Sequence, residues 1–220
     1  MALNAVRDEI LRDTRAALGR RADAPIAPLS AAARVAPRIP GDANSESAML
    51  LGEIGKLGGN TRRMAQRNEL TDALKQLIET EAIQKATLWQ TRELNDLGIE
   101  ERLRALGVEI VSPHADKRAL AECDLGVTSV DAALPETGTL LLRSSPERPR
   151  MVSLLPRVHL AIVRPSALYA DVGLALAQVS GEGYWVFITG PSRTSDIELT
   201  TTIGVHGPKS LYVWSWETQS

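Results

Sequence analysis

Ala86-Thr-Leu-Trp-Gln90, Val108-Glu-Ile-Val111 and Leu125-Gly-Val-Thr-Ser-Val130 are three short apolar runs separated by segments of helical period. The first gap carries Leu94, Leu97, Leu103 and Leu106, which predicts a helix over Glu93–Leu106 that Gly107 stops. The second gap, Asp116–Glu122, predicts a shorter helix. Strand, helix, strand, helix, strand in succession is the pattern of parallel βαβ units, because parallel strands need a crossover between them. The fold class is therefore α/β.

Downstream the rhythm changes. Thr139–Arg143 and Val158–Val163 read as strands joined by the Pro-rich connection Ser145–Pro156. No helix is evident in that connection, so the two strands are expected to pair antiparallel. A helix over Ala167–Val179 leads to Tyr184-Trp-Val-Phe-Ile-Thr189, read as a buried parallel strand. Ser210-Leu-Tyr-Val-Trp-Ser-Trp216 alternates as an edge strand does. Upstream, Ala48–Leu57 reads as a helix ended by Gly58-Gly59. Thr61–Thr80, with Leu70, Leu74, Leu77 and Ile78, reads as another, capped by Asn68 or Thr61. At the start, Val6, Ile10 and the pair Ala17/Leu18 give an amphipathic helix over Ala2–Leu18. Pro25, Pro28, Pro37 and Pro40 then make Arg20–Ser47 an extended linker. The expected organisation is an N-terminal helix and linker over 1–47 and an α/β domain over 48–220. The tether allows the helix to dock on a second copy of the chain or to pack back on its own domain.

Composition narrows the function. With 25 Lys+Arg against 27 Asp+Glu the net charge is -2, which excludes a dominant nucleic-acid footprint. Aromatic residues at 4% leave no base-stacking platform. The single cysteine, Cys123, can make neither an internal disulfide nor a cysteine-ligated iron–sulfur cluster. His114, His159 and His206 are far apart and form no His-x-x-x-His pair. No apolar stretch is long enough to span a bilayer, and the acidic N-terminal residues argue against a leader peptide. A cytoplasmic protein is expected.

Chemistry concentrates in three polar segments. The first runs from Thr128 and Asp131 into Pro135-Glu136-Thr137-Gly138-Thr139. The second is Gly190-Pro-Ser192-Arg193-Thr194-Ser-Asp196. The third is Gly204-Val-His206-Gly-Pro-Lys209. Glu136 has the chemistry of a general base, an acyl nucleophile or a metal ligand, and equally of a turn residue bonding backbone amides. His206 can exchange a proton near neutral pH, or can sit as a turn residue. Arg193 presents a planar fork suited to a carboxylate or phosphate, or a partner for Asp196. Gly138 and Gly207 permit close backbone approach or positive φ, and backbone amides beside such glycines can cradle an anion. If the Leu125 and Tyr184 strands are both parallel, their carboxyl ends bring these loops to one anion-binding crevice. His159, inside an apolar strand, reads as a satisfied core residue.

Three segments together resemble a known family. Gly126-Val-Thr-Ser-Val-Asp-Ala-Ala-Leu-Pro-Glu-Thr-Gly-Thr139, Arg148-Pro-Arg-Met-Val-Ser-Leu-Leu-Pro156, and the C-terminal pair Gly190–Glu198 and Gly204–Lys209 are similar to the motifs of the LUD-domain family, lactate utilization protein C (LutC/YkgG) type. The resemblance covers roughly Thr61–Trp216. It implies a three-layer α/β sandwich with a Rossmann-like, mixed and mainly parallel sheet, similar to the ribose-5-phosphate isomerase and CoA-transferase group. It also implies a part in oxidising L-lactate to pyruvate beside iron–sulfur partner proteins of the LutA/LutB type. On that reading this chain carries no cofactor of its own. The other expectation, a stand-alone enzyme on a phosphorylated or acyl-CoA substrate with Glu136 as base or nucleophile, stays open.

Overall fold

The computed structural model describes residues 2–19, 38–178, 183–194 and 202–216. The chain divides into two compact units, Met1–Ala36 and Pro37–Ser220. In the first, α1 (Ala2–Ala17) leaves Val6 and Ile10 exposed. The expected boundary at 47/48 falls inside the first helix of the second unit, α2 (Ala43–Lys56), which starts where the Asp42 carboxylate accepts from the Ser45 amide. Arg38 and Gly41 belong to this unit. The Glu46 carboxylate, 5% exposed, accepts from the Arg38 guanidinium and from the Gly41 amide.

The second unit continues through β1 (Asn60–Met64), α3 (Glu69–Glu81), β2 (Lys85–Leu88), α4 (Arg92–Asp96), α5 (Ile99–Ala105), β3 (Glu109–Val111), α6 (Lys117–Ala121) and β4 (Leu125–Ser129). It goes on with β5 (Ala132–Leu134), β6 (Thr139–Ser144), α7 (Met151–Leu154), β7 (Val158–Val163), α8 (Val172–Gln178), β8 (Tyr184–Ile188), β9 (Arg193–Thr194), β10 (Thr202–Ile203) and β11 (Ser210–Trp216). Six strands form one sheet in the order β1-β11-β7-β4-β2-β3, and every pair in it is parallel. Helices and a second sheet cover it, so its central strands are buried on both faces: all of Leu125–Ser129 and Val158–Val163 are inaccessible. The second sheet, β5-β6-β8, is antiparallel. Leu140 and Leu142 of β6, with Val186 and Ile188 of β8, pack on the main core.

Several elements depart from the sequence expectation. Thr139–Ser144 does not pair with Val158–Val163; it belongs to the second sheet, and α7 lies in the Pro-rich connection. The Tyr184 strand runs antiparallel to β6, with Tyr184 70% and Phe187 49% exposed, instead of being a buried parallel strand. An aromatic and β-branched run states that a strand forms, not which partner it takes. The Ser210 strand is interior, because Asn60–Met64 occupies the edge beside it. That edge strand reads Asn-Thr-Arg-Arg-Met; polar residues suit an edge and hid it inside the predicted Thr61 helix. Asn68 precedes α3 without a side-chain cap bond. The Glu93–Leu106 helix is broken in two at Gly98, whose φ of 61° lies in the left-handed region. The helix expected from Ala167 begins at Val172.

Candidate small-molecule cavity

The sheet register sets the floor of a cavity. Thr87, Gly126, His159 and Leu211 are opposite one another on adjacent strands β2, β4, β7 and β11 and so share one face. A side chain at Gly126 would put its Cβ 1.9 Å from the Val152 carbonyl oxygen, so glycine here lets the α7 backbone lie directly on the sheet. Thr128, one pleat further along β4, reaches His159: the Thr128 hydroxyl and His159 Nε2 are 2.9 Å apart. His159 is 1% exposed, and its Nδ1 has no hydrogen-bond partner. Burial pushes the imidazole pKa down to about 3, so the ring is neutral at physiological pH.

Two of the three predicted loops form the roof. β9 and β10 pair as a hairpin, with Arg193 opposite Ile203 and Thr194 opposite Thr202. The Ser192 amide donates to the Pro208 carbonyl at 3.0 Å, and the Gly204 amide to the Ser192 carbonyl at 2.9 Å. The Gly190 loop and the His206 loop are thus one layer. Under it lies a cavity of about 260 Å³ lined by Ser153 and Leu154 of α7, Val186 and Ile188 of β8, Thr189 to Ser192, His206 to Pro208, Leu211 and His159. Hydrocarbon forms much of the wall; the Ser153, Thr189 and Ser192 hydroxyls and the exposed His206 ring add polar groups.

The cavity sits against the amino-terminal halves of β7 and β11, not at the carboxyl ends where the loops were expected to converge. The Gly190 loop follows β8, which belongs to the second sheet and is not a parallel strand of the first, so the argument from shared carboxyl ends does not apply to it. Packed side chains lie at the carboxyl ends of β2 and β4. Trp89, fully buried, donates its indole N–H to the Pro149 carbonyl, and the Arg148 guanidinium lies over its ring. Asp131 accepts from Arg148 at 2.7 Å and from the Arg143 amide at 2.7 Å. Glu93 faces Arg164 at 2.8 Å; burial, the leading cause, holds its carboxyl above the usual range against the pull of Arg164.

The remaining predicted residues divide. Gly190, Ser192 and His206 line the cavity. Thr128 lies behind it, as the partner of His159. Thr139 links to the cavity wall through hydroxyl contacts, Thr137 to Thr139 at 2.8 Å and Thr139 to Thr189 at 2.9 Å. Gly138, with φ of 62°, packs against the α2 backbone at Glu53 and Ile54. Glu136 does not reach the cavity: its side chain is 65% exposed and lies 4.0 Å from Arg38. Arg193 is also outside; it is exposed and donates to the Leu57 carbonyl. Lys209 is exposed, Thr194 is half-buried in the hairpin, and Asp131 is held in its ion pair. Asp196 lies outside the described residues. His159 was read as a satisfied core residue; only the tertiary fold shows that it borders the cavity and that one of its nitrogens is left without a partner. Ser153 and Leu154 were hidden in the Pro-rich connection.

Among the described residues no group of three or more His, Cys, Asp or Glu side chains is placed to hold a metal ion, and no helix is long and apolar enough to cross a membrane.

Sequence comparison defines the class of protein. The LUD domain family model matches residues 49–214, so the chain belongs to the LUD-domain family. Among its relatives, the lactate utilization protein C of Shouchella clausii is 33% identical over 162 residues, covering 69% of this chain and 71% of that protein. The lactate utilization protein C of Halalkalibacterium halodurans is 31% identical over 159 residues, covering 66% and 69%. A crystal structure of a DUF162 family protein from Deinococcus radiodurans superposes with a TM-score of 0.57 at 18% identity, covering 80% of this chain and 99% of that one; it shares the fold.

Proposed function

We propose that this protein takes part in lactate utilization, as a non-redox component of a system that oxidises L-lactate to pyruvate and passes the electrons to iron–sulfur partner proteins. The observation that carries this reading is the relationship to lactate utilization protein C of Shouchella clausii across most of both chains. The chemistry of the chain agrees with it. Lactate oxidation needs an electron acceptor, and cysteine-ligated clusters need several thiolates. Cys123 is the sole cysteine in the sequence. It is buried, and desolvation pushes its thiol pKa up to about 11, away from the thiolate that binds metal. The redox centres are therefore assigned to partners, and the cavity beneath the hairpin is this chain's small-molecule site.

The test is genetic and biochemical together. A strain lacking this gene should fail to grow on L-lactate and grow normally on pyruvate, and the full-length gene should restore growth. Purified with the candidate iron–sulfur partners, the complex should reduce a dye in the presence of L-lactate, and this chain alone should not. Normal growth of the deletion strain on L-lactate would end the proposal.

A further inference from the structure

The two larger sheets have four edges, and three of them are guarded. An open edge presents a row of unpaired backbone N–H and C=O groups, which proteins protect with charge, proline, shortness or cover. β1 carries Arg62 and Arg63. β3 is three residues long and starts on the exposed Glu109. β5 is three residues long and buried, and the Tyr169 amide donates to its Ala133 carbonyl at 2.9 Å. The fourth edge is β8. It pairs with β6 on one side, and among the described residues no strand pairs its other side. Its five residues read Tyr-Trp-Val-Phe-Ile, with neither charge nor proline. Tyr184 and Phe187 are exposed.

The register sorts the side chains of β8. Phe187 is opposite Leu141, and Trp185 and Phe187 share one face while Tyr184, Val186 and Ile188 share the other. Leu141 clusters with Ala175 of α8 and with Trp185, so α8 packs on the Trp185 face. Val172, Leu174 and Leu176 of that helix remain exposed. Isolated exposed apolar residues are ordinary on a protein surface, but an apolar helix beside an unguarded apolar edge marks an interaction surface.

The chemistry of this surface selects a second copy of the chain as its occupant. An antiparallel strand can meet itself across a two-fold axis, which sets each element against its own copy. Any charge there would face its like, and neither Val172–Gln178 nor Tyr184–Ile188 contains Asp, Glu, Lys or Arg. Centred on Val186, self-pairing sets Trp185 against the partner's Phe187 and Tyr184 against the partner's Ile188. Each of these pairs occurs twice, and Val186 meets its own copy. Aromatic–aromatic and aromatic–β-branched pairs are the ones that stabilise antiparallel ladders.

We propose that this chain forms a two-fold dimer through the open edge of β8, joining two β5-β6-β8 sheets into one six-stranded antiparallel sheet. The pairing supplies partners for the unpaired backbone groups of β8 and removes both open edges at once.

The experiment is sedimentation equilibrium of the full chain over about a hundredfold range of concentration, with hydrogen exchange of the β8 amides followed over the same range. Wild type should populate a dimer, and the β8 amides that β6 leaves unpaired should slow in proportion to it. Tyr184→Lys and Phe187→Lys each introduce the charge that guarded edges carry, and each should weaken the dimer at least about tenfold. Arg62→Ala, on the opposite guarded edge of the molecule's main sheet, should leave it unchanged. Tyr184 is 70% exposed, so its replacement leaves the protomer fold intact and decides the matter together with the wild-type exchange if Phe187→Lys fails to fold. A monomer at every concentration, a dimer that Tyr184→Lys does not weaken, or β8 exchange that does not follow the dimer population would overturn the proposal.

Discussion

Replacing Gly126 by Ala tests how the cavity is built. Gly126 is in the centre of the parallel sheet, opposite His159. The added Cβ would meet the Val152 carbonyl oxygen at 1.9 Å, the Val152 carbonyl carbon at 3.0 Å and Pro156 Cγ at 3.1 Å. The closest atom is backbone, so no rotamer change relieves the contact; α7 itself must lift off the sheet. Overpacking of this kind costs about 1–3 kcal/mol, and a rigid backbone opponent puts it at the upper end, about 3 kcal/mol. For a domain of this size that lowers Tm by about 6–12 °C. The two residues after Val152, Ser153 and Leu154, line the cavity, so the displacement should also weaken ligand binding. The assay is equilibrium urea unfolding with circular dichroism, beside Gly52→Ala as control. Gly52 is a glycine of α2 with nothing within 4 Å of its would-be Cβ, and alanine there should be neutral or stabilise by up to about 1 kcal/mol. If Gly126→Ala costs less than about 1 kcal/mol, α7 does not lie on β4 as described.

Other expected outcomes follow from single sites. The His159 pKa is near 3 in the folded protein against about 6.5 unfolded, so between those values the unfolded chain binds the extra proton and stability falls as pH falls. That contribution reaches about 1.4 kcal/mol per pH unit, and comparison of urea midpoints at pH 7 and pH 5 for wild type and His159→Phe should show it only in the wild type. Cys123, buried and with its thiol raised to about 11, should react with a disulfide reagent at pH 8 no faster than the protein unfolds, and immediately in urea; fast native reaction would contradict its placement. A chain starting at Pro37 keeps the Arg38–Glu46 pair and one starting at Gly41 loses it, so the second should unfold at lower urea. Arg193→Ala should leave the affinity for any cavity ligand within about twofold, since that side chain lies outside the cavity; a larger loss would move the site toward Leu57.

The parallel layout was legible in the sequence because Ala86–Gln90, Val108–Val111 and Leu125–Val130 alternate with helical periods, and buried parallel strands read as continuous apolar runs. The edge strand Asn60–Met64 was not legible, since it has no apolar run and its hydrogen bonds go to a strand about 150 residues later. Strand direction was hidden too. Nothing in Tyr184–Ile188 states that its partner is β6, in a sheet separate from the parallel one. The Gly190 and His206 loops were recognisable by their turn residues and hydroxyls, and the hairpin joins them. The directions of the Arg193 and Glu136 side chains are properties of packing against α2 and Arg38, which no local pattern encodes. His159 shows the same limit from the other side, because a histidine in an apolar strand looks alike whether one nitrogen or both are satisfied.

The most direct measurement is a crystal structure of the full chain grown with pyruvate. The account predicts pyruvate in the cavity beneath the β9–β10 hairpin, against the loops that carry Ser192 and His206. Pyruvate bound instead at Arg193 beside Leu57, or at the carboxyl ends of β2 and β4 among Glu93, Asp131 and Arg164, with the cavity holding only water, would contradict it.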